Sequence, residues 1–128
     1  MAKVLMVEDE DDESLRMLYS RNLKVKNFEV ETAVDGKDAL AKVKIFKPDA
    51  ILLDIIMPEI NGIEVLKILK ADPELRKIPV LMLTSLSEAN KIKECLEIGA
   101  KGYILKGNYN SGGEIAKRVN ILLGLVGQ

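Results

Sequence analysis

Short aliphatic runs alternate with longer amphipathic stretches along the chain, and the alternation predicts its elements. KVLMV (3–7) reads as a first strand. Leu15, Leu18, Tyr19 and Asn22/Leu23 then recur at helical spacing. FEVETA (28–33) alternates like a half-exposed strand, and DGKDALAKVKIF (35–46) sets Ala39, Leu40, Val43 and Phe46 on one helical face. KPDAILLD (47–54) is a continuous apolar run entered from a proline and closed by an acid. NGIEVLKILK (61–70) carries Val65, Leu66 and Leu69 on one stripe. IPVLMLT (78–84) reads as a fourth strand. EANKIKECLEIG (88–99) reads as a helix with Ala89, Ile92 and Leu96 inward, ending on Gly99 as a C-cap. GYILK (102–106) is a fifth strand, and EIAKRVNILL (114–123) a fifth helix with Ile115, Val119, Leu122 and Leu123 inward.

Five strand–helix units predict an α/β fold, a parallel sheet with helices on both faces. Runs 50–53 and 80–83 are apolar throughout, as strands covered on both faces require. Phe28 and Phe46 read as core residues. No linker or second domain interrupts the pattern. Sites in such folds lie outside the carboxyl ends of the strands. Those ends carry Glu8 and Asp9 after the first strand, Asp54 after the third, Thr84 and Ser85 after the fourth, and Lys106 after the fifth. A strand order of 2-1-3-4-5 brings them to one edge.

The charge pattern sharpens this picture. The run EDEDDE (8–13) sits in a chain whose net charge is only −1. Asp11, Asp12 and Glu13 suit the start of the first helix, where acids cap free N–H groups and complement the helix dipole. Glu8 and Asp9 come too early for that and should face Asp54. Carboxylates that close repel unless a cation intervenes. Oxygen-only ligands suit Mg²⁺ better than zinc. A carboxylate beside such an ion can attack phosphorus and form an acyl phosphate. The added charge, about −1.5 to −2, would be met by the ion and by the Lys106 ammonium, with Thr84 donating a hydrogen bond.

Composition removes other chemistries. The chain has no histidine, which excludes His-based catalysis and His-ligated zinc, and its single cysteine, Cys95, excludes an intrachain disulfide. Cys95 reads as inert. Nearly balanced charge argues against direct nucleic-acid binding. No apolar stretch approaches the ~20 residues of a membrane span, and no signal peptide is evident. A cytoplasmic location is expected.

These residues resemble the response regulator receiver domain, the CheY-like module of two-component signalling with the flavodoxin-like sheet order. The resemblance is carried by Glu8-Asp9 after KVLMV, LLDIIMPEINGIEVL (52–66), LTS (83–85) and GAKGYILK (99–106), and it spans the chain as a single domain, 1–128. It implies that Asp54 is the phosphoacceptor. Asp9 would bind Mg²⁺ directly with Asp54, Glu8 through water, and Ile56 through its backbone carbonyl. Thr84 and Lys106 would be the switch hydroxyl and the phosphate-binding lysine, and Tyr103 the switch aromatic. The implied donor is a phosphohistidine on a sensor histidine kinase or histidine phosphotransfer protein, and the implied output is an altered α4-β5-α5 surface that controls a downstream protein. Lys91, Lys101, Lys117 and Arg118 lie in or near that surface and suit either an acidic partner or solvent. The chain would act on nothing but its own phosphorylation state. It could equally be the N-terminal receiver of a longer regulator with an output domain.

Several features depart from the family pattern. Lys106 precedes Gly107 rather than proline, which predicts a looser loop after it. The loop between Asp9 and the first helix is about two residues longer than is usual in the family, with the helix start placed at its capping acids. Lys101-Gly102 stands where the winged-helix branch carries acids for its α4-β5-α5 dimer. The resemblance also implies that two variable positions, two residues after the phosphoacceptor and after the switch hydroxyl, influence water attack on the acyl phosphate; here they are the apolar Ile56 and Leu86, which should exclude water and predict slow autodephosphorylation. Two other classes fit less well. An aspartate-nucleophile phosphatase of the haloacid dehalogenase type needs a general acid where Ile56 stands. A flavin or nucleotide module needs a Gly- or Ser/Thr-rich loop where EDEDDE stands. Met57, Pro58 and Gly62 read as turn chemistry and close approach.

Overall fold

The computed structural model describes residues 2–8, 13–57, 59–106 and 113–124, with residues 13–16, 86 and 113–114 described by backbone alone. Among the described residues five strands and five α-helices alternate: β1 (Lys3–Val7), α1 (Glu13–Val25), β2 (Glu29–Ala33), α2 (Gly36–Phe46), β3 (Ala50–Asp54), α3 (Gly62–Ala71), β4 (Val80–Thr84), α4 (Ile92–Ile98), β5 (Gly102–Leu105) and α5 (Gly113–Leu122). All strand pairings are parallel and the order is β2-β1-β3-β4-β5, as the alternation predicts.

Alternate side chains on each strand point to opposite faces, so the sheet separates two cores. Leu5, Val7, Ile51, Leu53 and Met82 pack with Ala39, Val43, Val65, Leu66, Leu69 and Cys95 of α2, α3 and α4. Val4, Met6, Leu52, Leu81, Leu83 and Ile104 pack with Tyr19, Leu23, Ile115 and Val119 of α1 and α5. Strands β3 and β4 are buried at every residue, whereas edge strand β2 is covered on one face only. Phe28 is buried in the second core; Phe46 is only partly buried, against the first. Leu122 and Leu123 are partly buried against the second.

The helix starts are set by short polar side chains. Asp35 accepts from the Asp38 N–H at 2.7 Å, and the Asp38 carboxylate accepts from the Val34 N–H at 3.1 Å. This reciprocal pair satisfies amides that the helix cannot. Asn61 caps α3 by accepting from the Glu64 N–H at 2.9 Å. The proposed caps at Asp11, Asp12 and Glu13 lie outside the described residues and side chains.

The expected helix over 88–99 is corrected. A 3₁₀ segment covers Leu86–Lys91 and the α-helix starts only at Ile92. Ser85, Ser87 and Glu88 hydrogen-bond among themselves through their side chains, and such local bonds compete with α-helical ones. The 3₁₀ segment has three residues per turn, so it resets the helical phase. The buried position is therefore Cys95, and Leu96, expected inward, is 45 % exposed. Gly99 ends the helix as expected, at φ 136 with its N–H on the Cys95 carbonyl.

Candidate functional site

Four elements deliver their last residues to one edge of the sheet. Asp54 and Thr84 are the final residues of β3 and β4, while Glu8 and Lys106 directly follow β1 and β5. Their backbones are held by the sheet itself: the Glu8 N–H donates to Ala33 at 3.0 Å and the Lys106 N–H to Thr84 at 2.7 Å.

The side chains converge. Lys106 Nζ lies 2.7 Å from Asp54 Oδ2 and 3.4 Å from Glu8 Oε2. Glu8 is 0 % exposed, Asp54 2 % and Thr84 1 %, so the carboxyls are buried rather than on the surface. Burial pushes the Asp54 carboxyl above the usual carboxylate range; the Lys106 hydrogen bond and charge, then contacts with Glu8 and the Ile56 N–H, pull it back only in part. Two buried carboxyls thus share one ammonium. Thr84 Oγ1 donates to the Ser85 carbonyl at 3.1 Å, leaving the hydroxyl at the end of β4, one strand over from Asp54.

Gly62 lies against the backbone of Asp54. A Cβ there would stand 1.9 Å from the Asp54 carbonyl oxygen, and the Gly62 N–H donates to Ile55 at 2.7 Å. The loop after β3 can therefore fold back against Asp54 only without a side chain at position 62. This is the close approach expected of Gly62. Met57 is buried beneath the same loop.

The predicted site residues divide as follows. Glu8, Asp54, Thr84 and Lys106 are brought together. Ile56 is 44 % exposed, its N–H 3.3 Å from Asp54 Oδ1. Tyr103 is 42 % exposed on β5. Asp9, Pro58, the loop from Asp9 to α1 and the Gly107 loop lie outside the described residues, as does the Leu86 side chain. Lys106 reaches Asp54 although no proline follows it. Among the described residues no group of three potential metal-binding side chains is gathered; Glu8 and Asp54 supply two carboxyls. Sequence reading missed Asp35 and Asn61 as caps. Their signal was present: a short polar residue followed three positions later by an acid.

A parallel sheet in this order, with buried carboxyls, a hydroxyl and a lysine at its carboxyl edge, defines a class that comparison with known proteins names. Residues 4–119 match the response regulator receiver domain, and the chain belongs to that family. It is 41 % identical over 104 residues to the alkaline phosphatase synthesis transcriptional regulatory protein PhoP of Bacillus subtilis, covering 81 % of this chain and 42 % of that protein. It is 35 % identical over 106 residues to the phosphate regulon transcriptional regulatory protein PhoB of Rhizobium meliloti, covering 83 % and 46 %. The chain thus spans less than half the length of these curated relatives. The solved structure of chemotaxis response regulator CheY4 of Vibrio cholerae superposes with a TM-score of 0.85 at 35 % identity, covering 96 % of this chain and 99 % of that one. Phosphorylation and Mg²⁺ are general features of this family.

Proposed function

We propose that this chain is a phosphorylation-driven switch, with Asp54 as its phosphoacceptor. The observation that carries the reading is the 2.7 Å contact of Lys106 with a nearly buried Asp54 beside Glu8. An Asp54 oxygen attacks phosphorus of a phosphohistidine on a sensor kinase or phosphotransfer protein. The P–O bond forms, the P–N bond breaks, and the released imidazole nitrogen takes up a proton. Lys106 stays beside the new phosphoryl oxygens and offsets their charge, and Thr84 turns its hydroxyl from the Ser85 carbonyl toward them.

The donor set fits Mg²⁺: among the described residues two buried carboxyls, Glu8 and Asp54, face one ammonium, Lys106. Asp54, Asp9, the Ile56 carbonyl and, through water, Glu8 would hold it. The ion would neutralise phosphoryl charge and orient the donor.

Phosphate shifts a two-state equilibrium only through contacts that differ between the states. The Thr84 and Lys106 contacts supply that difference, and Tyr103 carries it to the α4-β5-α5 surface, which controls a downstream protein. The chain works either alone or as the receiver of a longer regulator, in the cytoplasm. It acts on no external phosphate ester, because Ile56 offers no proton to a leaving group. Incubation with acetyl phosphate and Mg²⁺, followed by intact mass, tests this. A gain of one phosphoryl group, abolished by Asp54→Ala and by EDTA, is expected. Equal gain by Asp54→Ala would overturn it.

A further inference from the structure

The open sheet has two edges, β2 and β5, and an open edge offers unpaired backbone groups to another strand. Backbone bonds show which residues face out. Glu29 donates to Ala2, and Ala33 accepts from Glu8, so residues 29, 31 and 33 face β1. Val30 and Thr32 therefore direct their backbone groups away from the sheet. On the opposite side Lys106 donates to Thr84. This parity turns Gly102 and Ile104 toward β4 and the Tyr103 carbonyl outward.

On each edge one outward carbonyl is occupied by a cation from the neighbouring helix. Lys42 Nζ of α2 donates to the Thr32 carbonyl at 2.7 Å. Arg118 Nη2 of α5 donates to the Tyr103 carbonyl at 2.9 Å. Lys42 is itself held by Asp38 at 3.3 Å and Glu31 at 3.7 Å, which aim its ammonium along the strand edge. The two contacts lie at opposite ends of the sheet, come from different helices and end on the same kind of group. A basic side chain in that position presents charge and bulk where an incoming strand needs an acceptor.

We propose that Lys42 and Arg118 are edge guards that keep a second copy of this chain from adding to the sheet. An edge whose guard is lost pairs with the same edge of another copy, which gives a closed two-fold dimer. With both guards lost, each copy has two open edges and longer assemblies form.

Sedimentation velocity over a concentration series tests this on the full chain and on the variants Lys42→Gln, Arg118→Gln and the double variant. Each single variant is expected to show a concentration-dependent doubling of mass beyond that of the parent, and the double variant higher species. Adding Thr32→Pro to Lys42→Gln removes an outward N–H from the β2 edge and is expected to abolish the gain. Val43→Ala, which weakens the core without touching an edge, controls for association through unfolding. Variants that associate no more than the parent would overturn the proposal. So would equal association by Val43→Ala, or dimers that persist with Thr32→Pro.

Discussion

At the residue scale, Asp54, the proposed phosphoacceptor, is a carboxyl kept in an unfavourable environment. Burial raises its pKa, and Lys106 only partly opposes this. The protonated form is therefore favoured more in the folded than in the unfolded chain. Stability from this group is fully present below the unfolded pKa and is lost as pH rises through the folded one. Asp54→Asn removes the buried charge at similar volume. It should raise Tm at neutral pH, with the gain shrinking as pH falls and Asp54 itself takes up a proton; thermal unfolding across a pH series checks this. Ile56 stands exposed over the same site and carries no group that could position water. Once Asp54 is phosphorylated, Ile56→Asn should speed loss of phosphate by roughly an order of magnitude, ~1.4 kcal/mol of barrier, measured by intact mass over time. A rate equal to the parent's would remove the water-exclusion account.

At the element scale, the site depends on what strands and loops do to one another. Asp54 stands at the sheet edge because β3 ends there, and the following loop turns back against it at Gly62. Since a Cβ would meet the Asp54 carbonyl at 1.9 Å, Gly62→Ala should cost about 3 kcal/mol, the upper end of overpacking. Denaturant unfolding should show this loss, and acetyl phosphate should modify the variant more slowly. The strands, α2, α3 and α5 were legible in the sequence because each has one unbroken period. The fourth helix was legible in place but not in phase. Ser85, Ser87 and Glu88 favour local bonds that periodicity does not see, and the 3₁₀ segment turned Cys95 rather than Leu96 inward. The contacts of Lys42 and Arg118 with strand carbonyls were equally hidden, because a lysine or arginine on a helix gives no sign of which backbone group it will reach.

At the scale of the whole molecule, the order β2-β1-β3-β4-β5 is what turns scattered residues into a site. Positions 8, 54, 84 and 106 are far apart in the chain and adjacent only because their strands are neighbours. The alternation of strand and helix made the sheet legible. The acid–lysine contact was legible only once each strand's end was assigned, and the distances came from packing. Among the described residues no helix is long and apolar enough to cross a membrane. The central claim is that this sheet edge makes Asp54 reactive toward phosphorus. The most direct measurement is borohydride reduction of the chain after acetyl phosphate and Mg²⁺, followed by peptide mass mapping. Acyl phosphate at Asp54 predicts homoserine at position 54 and nowhere else. Reduction at another carboxyl, with position 54 unchanged, would contradict the account.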